Sequence, residues 1–260
     1  MQKISALLIT YNEEDNIKRF IEDASYADEI IVVDSFSTDK TVEIIQSFPQ
    51  VKLYQKEFVN FTDQKNFAIT KASHEWITFF DADEHIPFAL REEIIQVINQ
   101  PNTLDAYYVG RKFYFQDKVL NYSGMQNDKA IRLLKKSKCR YKDNRLVHEL
   151  IDCKGTVGKL SNKLDHYTYK SEQEYRRKLT SYSRLRALEL LRKNLKPNFF
   201  HYKIKPAYRF LNHYVIRLGF LDGKEGYQIS KLHAESVYKR YVFLNEFYEA
   251  QSSELINKNA

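Results

Sequence analysis

KISALLITYNEE (3–14) carries the reading of the fold: an apolar run stops at Thr10 and gives way at once to Tyr11-Asn12-Glu13-Glu14. Ile17, Phe20, Ile21 and Ala24 follow at the i, i+3, i+4 spacing of a helix with one apolar face. The same order returns in EIIVVD (29–34), the turn SFSTDKT (35–41) and the helical TVEIIQSF (41–48), where Ser, Thr and Asp suit a helix N-terminus. VKLYQ (51–55) and WITFFD (76–81) read as third and fourth strands, with helices expected at about 63–72 and 88–99. Strands alternating with helices predict right-handed βαβ units and an α/β fold on a mainly parallel central sheet, buried on both faces.

Three polar clusters, Thr10 to Glu13, Asp34, and Asp81-Ala82-Asp83-Glu84, close strands one, two and four. That edge is where open α/β sheets bind ligands. Two carboxylates spaced Asp-x-Asp can share a divalent cation with a diphosphate, the hard oxygen chemistry of Mg2+ or Mn2+, and Glu84 and His85 stand beside them as further ligand candidates. Asp34 ends a buried apolar strand, where an unpartnered carboxylate is costly, so a ligand role is expected of it. Asp39 suits a helix cap and a ribose contact equally, and Lys65 a plain surface lysine or a phosphate or ribose contact.

After Pro101 the pattern changes. AYYVGRKFYF (106–115) and AIRLLKK (130–136) alternate as strands of an antiparallel or mixed extension do. From Ser171 onward Tyr175, Leu179, Tyr182, Leu185, Leu188 and Leu191 keep helical spacing, and further helices are expected at about 204–218 and 227–249, around the turn GFLDGKEG (219–226). An α/β domain over 1–169 and a basic helical region over 170–260 result.

Charge is divided in the same way. Residues 1–110 hold 9 Lys and Arg against 19 Asp and Glu, whereas 170–217 hold 13 against 3. The first half would repel phosphate and the second has no recognisable reading motif, so no nucleic-acid partner is expected. An anionic membrane surface is the expected partner of the basic helices. No segment reaches ~18 apolar residues, the start is too short for a signal peptide, and Cys139 and Cys153 lie in no metal-type spacing; reduced thiols in a cytosolic compartment are expected. The acidic TYNEEDN loop also lacks the Gly-rich, basic character that a nucleotidyltransferase needs there for a triphosphate.

Thr10-Tyr11-Asn12-Glu13, VVDSFSTDKT (32–41), Gln64-Lys65-Asn66-Phe67-Ala68 and FFDADE (79–84) resemble, in order and spacing, the signature segments of family-2 glycosyltransferases with the Rossmann-like GT-A fold. The resemblance implies an inverting, metal-dependent transferase using a UDP-sugar. It assigns the strand end Thr10, Tyr11, Asn12 and Glu13, with Asp34, to the donor's base and ribose and Asp83 to Mg2+ or Mn2+; Lys65, Asn66, Asp81 and Ala82 are expected at the donor as well, and His148 or His166 as further metal or pyrophosphate contacts. Where family members commonly carry Gly-Ser, this chain has Ser35-Phe36-Ser37, and Lys65-Asn66 replaces a usual Arg-Asn.

Beyond residue 100, Arg145-Leu146-Val147-His148-Glu149, Leu164-Asp165-His166-Tyr167 and the segment from Lys205-Pro206 to Gly226-Tyr227 are similar to bacterial lipopolysaccharide-core β-1,4-glucosyltransferases. That similarity implies transfer of glucose to an inner-core heptose on a lipid-linked oligosaccharide, at the inner face of the cytoplasmic membrane; a family-2 transferase with another glycan or a protein acceptor is the alternative. An inverting displacement needs a general base beyond the donor half. Glu149 is the best match, against an ion pair with Arg145, and Asp128 and His166 stand as substitutes.

Overall fold

The computed structural model describes residues 1–116, 118–125, 127–142, 151–169 and 171–258. Strands β1 (Ile4–Thr10), β2 (Glu29–Asp34), β3 (Val51–Gln55) and β4 (Trp76–Phe79) pair in parallel in the order β3-β2-β1-β4. Every residue of β2 is buried, which is why it reads as a continuous apolar run rather than an alternating one. Side chains leave the two faces alternately. Leu8, Ile30 and Val32 meet Ile17, Phe20 and Ile21 of α1 (Ile17–Asp23), Ile45 of α2 (Thr41–Gln46) and Leu90 and Ile94 of α4 (Phe88–Ile98). Leu7, Ile31, Val33 and Phe79 meet Ala68 and Ile69 of α3 (Phe61–Lys71).

Beyond β4 the pairing turns antiparallel. The sheet continues through β8 (Lys129–Lys135), β6 (Ala106–Phe115), β11 (Val157–Tyr169) and, at the far edge, the two-residue β5 (Glu84–His85). β7 (Lys118–Leu120) pairs with the last residues of β6, and β9 (Cys139–Tyr141) with β10 (Ile151–Cys153) makes a separate ribbon. Both cysteines are free thiols, facing each other across that ribbon. The fourth strand, expected to reach Asp81, stops at Phe79. Residues 80–83 instead cross from the middle of the sheet to β5, where Glu84 lies opposite His166 and His85 opposite Asp165.

Two compact units form, Met1–Lys112 with Asn127–Tyr167, and Phe113–Gln126 with Thr168–Ala260. In the second, α5 (Glu172–Arg192) starts at Ser171, whose hydroxyl accepts from the Glu174 amide, and α7 runs from Gly223 to Lys258, past the 227–249 expected from the sequence. Phe113, Phe115 and Leu120 pack there on Tyr175, Ile229 and Leu232. The start of α7 is fixed by buried Asp222, which accepts from the Asn121 and Tyr122 amides (2.9 and 3.0 Å) and the Ser123 hydroxyl. Among the described residues no helix is long and apolar enough to cross a membrane.

Close packing at this corner demands Gly226. A Cβ there would lie 1.9 Å from the Gly219 carbonyl oxygen and 2.8 Å from Asp222 Cβ, so backbone must move. Gly226→Ala should destabilise the fold by about 1–3 kcal/mol despite its better helix propensity. Urea unfolding of the variant checks this, and an unchanged or raised midpoint contradicts it.

Candidate active site

Two strand-end loops are stitched into one body. The amides of Asn12, Glu13 and Glu14 donate to Ser37 Oγ (2.9 Å), Thr41 Oγ1 (2.8 Å) and Asp39 Oδ2 (3.2 Å). In return the amides of Thr38 and Lys40 donate to Asn12 Oδ1 (2.8 Å) and Glu14 Oε2 (3.1 Å). Asp39 also accepts from the Thr41 amide, the first of α2, at 2.9 Å. Asn12 takes φ +54°, which Asn tolerates, but Phe36 takes φ +61°, a left-handed conformation that costs a non-glycine residue about 1–2 kcal/mol. The departure at Phe36 therefore falls where the backbone favours glycine. Tyr11 and Phe36 both project into solvent from these loops.

Asp34 is fully buried, and its oxygens take the Ser37 hydroxyl, the Ser37 amide (3.0 Å) and Gln55 Nε2 (3.3 Å). Here it shapes the loop from below. Its partner is local, three residues on. Thr10 is likewise buried, and its hydroxyl has no hydrogen-bond partner among the described residues. Glu13 accepts from Asn16 Nδ2 at 2.7 Å; burial, joined by the negative charges of Asp83, Asp39 and Asp15, raises its carboxyl pKa in spite of that bond.

The Asp81–Glu84 turn is organised by cations from the antiparallel strands. Arg132 of β8, buried, places Nη2 against Asp81 Oδ2 and 2.6 Å from Glu84 Oε1. Arg111 of β6 puts Nε 3.3 Å from the same Glu84 oxygen, and the Asp81 amide donates to Glu84 Oε2 at 3.0 Å. Lys65 Nζ, largely buried, stands 3.9 Å from Asp81 Oδ1 and over the Phe79 and Tyr141 rings. Dehydration opposes the charge on Asp81, but Arg132, Lys65 and Arg111 together hold it well below the usual carboxylate range. Glu84 ends the other way: burial and the nearby Asp81 charge raise it despite the two arginines.

Neither Arg132 nor Arg111 was picked out from the sequence. The signal for the first was a lone arginine inside the apolar strand pattern AIRLL, which can be buried only against a carboxylate.

Several expected contacts are otherwise engaged. The Asn66 side chain bridges the backbone of Tyr141, donating to its carbonyl (3.0 Å) and accepting from its amide (3.1 Å), so it ties α3 to β9. His85 Nδ1 binds Asp23, which also takes the Ile86 amide (3.0 Å) and Arg91. Ala82 is buried. Asp83, by contrast, is about one third exposed, with Oδ2 at 3.2 Å from His166 Nε2, and its carbonyl accepts from the Tyr167 amide. His148, Glu149 and Arg145 lie outside the described residues.

A carboxylate oxygen and an imidazole nitrogen converging at that distance, partly open to solvent, fit a divalent cation that takes its remaining ligands from phosphates and water. Among the described residues no three His, Cys, Asp or Glu side chains converge as a closed metal cage would require.

The sequence profile described as glycosyl transferase family 2 matches residues 5–157. The chain belongs to this family. A lipopolysaccharide core biosynthesis glycosyltransferase, LpsC of Rhizobium meliloti, is 28% identical over 250 residues, covering 92% of this chain and 93% of that relative. An uncharacterised glycosyltransferase of Rickettsia bellii is 30% identical over 257 residues, covering 94% and 87%. The crystal structure of Staphylococcus aureus TarS 1–349, also determined in complex with UDP-GlcNAc, superposes with a TM-score of 0.52 at 15% identity, covering 96% of this chain and 92% of that one. The fold is GT-A, and this family-2 chain is a glycosyltransferase.

Removing the guanidinium strands a buried carboxylate, so Arg132→Met should destabilise the protein by about 3–5 kcal/mol. Arg132→Met combined with Glu84→Gln should lose markedly less than the two single changes added together, since the neutral amide no longer needs the cation. A double-mutant cycle by urea unfolding decides it, and strict additivity means that Arg132 does not hold Glu84.

Proposed function

We propose that this glycosyltransferase moves a hexose, glucose by the resemblance of its later segments, from a UDP-sugar to a heptose of a lipid-linked lipopolysaccharide inner core, with inversion. The observation that carries the proposal is the contact of Asp83 with His166, beside the cations Lys65 and Arg132 and next to the stitched strand-end loops. An edge with paired cation and carboxylate positions suits a nucleoside diphosphate. The similarity to a lipopolysaccharide core transferase along nearly the whole chain supports the acceptor.

In this reading the loops 10–14 and 35–41 receive the nucleoside, with Tyr11 and Phe36 offering exposed aromatic faces. Asp83 and His166 would hold Mg2+ or Mn2+, which when bound neutralises charge developing on the departing diphosphate. Lys65 adds a fixed positive charge, and Arg132 holds Asp81 and Glu84 so that the turn keeps its shape as ligands come and go. The acceptor hydroxyl oxygen forms the new bond to the anomeric carbon while the bond to the phosphate oxygen breaks on the opposite face. UDP departs with that electron pair, and Glu149 takes the hydroxyl proton.

The substitutes for that base have other attachments: Asp128 faces Arg111 Nη1 at 3.7 Å, and His166 is held by Asp83. We place the reaction at the cytoplasmic face of the inner membrane, where the basic helices would meet anionic lipid.

Asp83→Ala should abolish transfer and remove the Mn2+ dependence of UDP-glucose binding measured by calorimetry, with His166→Ala weakening that dependence. Donor binding and transfer that persist in excess chelator would defeat the metal assignment. Glu149→Gln keeps size and hydrogen bonding but cannot accept the proton, so turnover should fall by roughly 10²–10⁴ with UDP-glucose affinity little changed. The reverse pattern, normal turnover with weakened donor binding, makes Glu149 a binding residue.

A further inference from the structure

Residues 199–216 form one continuous helix in the second unit, in which two wide π-type turns, Phe200–Ile204 and Asn212–Ile216, flank α6 (Lys205–Leu211). One side of it is packed. The Tyr202 hydroxyl donates to the Tyr241 carbonyl (3.2 Å), Lys205 Nζ donates to the Tyr241 hydroxyl (3.1 Å), and the His213 ring stacks on His233 with centroids 4.3 Å apart. The solvent side is occupied by Phe200, Ile204, Tyr208, Leu211, Val215 and Ile216, each between 46% and 65% exposed.

Phe200, Ile204, Tyr208, Leu211 and Val215 follow one another at four, four, three and four, with Ile216 beside Val215, so they share one stripe, since turns of 3.6 and about 4.4 residues alternate along this helix. A helix facing water ordinarily shows the opposite pattern, polar outward and apolar inward. The apolar surface continues into the following turn with exposed Phe220 and Leu221.

The charge around the stripe is of one sign. Residues 190–221 contain seven Lys and Arg and no Asp or Glu. Lys203 and Arg217 lie exposed on the helix, and Lys205 and Arg209 flank the packed side. A second copy of the chain docking here would set seven cations against seven cations, which disfavours self-association. An apolar stripe edged by basic side chains matches a helix lying in the plane of an anionic lipid surface, with carbon groups among the acyl chains and cations at headgroup phosphates.

We propose that the segment 199–221 is an interfacial membrane anchor: Phe200, Ile204, Tyr208, Leu211, Val215 and Ile216 enter the lipid, and the neighbouring lysines and arginines hold the headgroups. This deepens the membrane-side reading of the acceptor and rests on it for its purpose. It goes beyond the attraction of basic helices to a charged surface, because the contact includes buried carbon as well as charge.

The experiment uses the full chain and vesicles of phosphatidylethanolamine with about 30% phosphatidylglycerol, without sugar donor or acceptor. Wild type should co-sediment, and a measurable fraction should stay bound in about 0.5 M salt, where charge attraction is screened within about 5 Å. Leu211→Glu combined with Ile216→Glu should lower the partition coefficient about tenfold or more. Hydrolysis of UDP-glucose in solution should be unchanged, which also shows that the variant is folded. As a second measurement, Tyr208→Trp should give an emission band that shifts to the blue on adding vesicles.

Wild-type partitioning of the double variant, or a tryptophan signal indifferent to vesicles, overturns the anchor. So does a wild-type dimer in sedimentation velocity that the double variant dissociates, because the stripe is then a self-association face. In a separate assay supplied with UDP-glucose and a lipid-linked heptose acceptor, absence of glucose transfer by protein that binds vesicles overturns the proposed donor and acceptor and leaves the anchor standing.

Discussion

A guanidinium enclosed between two carboxylates governs the chemistry-bearing half of this protein. Withdrawing Arg132 and Glu84 from water carries a desolvation cost of several kcal/mol per ion, offset only if the geometry satisfies both, and Asp81, 39% exposed, adds a second carboxylate to the same guanidinium from the solvent side. The chain can meet that condition in one arrangement: β8 must lie beside β4, and the turn after Phe79 must bring the acidic side chains back over the strand ends. The antiparallel extension is therefore tied to the parallel half by charge as well as by ladder hydrogen bonds. Arg111 from β6 extends the same hold by one more strand.

The sheet edge beyond that turn depends on it. Once Glu84 is fixed, His85 and Ile86 reach Asp23 at the end of α1, and β5 can pair with β11. This pairing delivers His166 to Asp83. Two residues 83 positions apart thus share a site because a two-residue strand at the sheet edge fixes the register between them. Register is an unforgiving variable: a slip of one residue would turn His166 to the other face of the sheet.

The parallel half was legible because β1, β2 and β4 are buried on both faces and announce themselves as apolar runs ending in polar residues, while the edge strand β3 shows only partly buried positions. β11 was not, since among its described side chains Leu160 and Leu164 enter the core amid lysines and serine, with no sustained alternation of apolar and polar positions to mark a strand. Asp34 was rightly read as buried and needing partners, yet Ser37 and Gln55 supply them, which a linear rule about strand ends cannot foresee. Arg132 escaped notice for a related reason. Its meaning lies in carboxylates about fifty positions away, and single-chain patterning records periodicity but not who faces whom.

The reciprocal stitching of loops 10–14 and 35–41 has an evolutionary consequence. Each loop supplies side-chain acceptors for the other's backbone amides, so a change in one loop hands an amide of the other to water and loosens its conformation. Substitutions at Asn12 or Glu14 should be tolerated chiefly in backgrounds where Ser37, Thr38 or Asp39 has already changed, and the reverse. The two loops are expected to drift through sequence space as a coupled pair, with strong epistasis across a gap of some twenty-five residues.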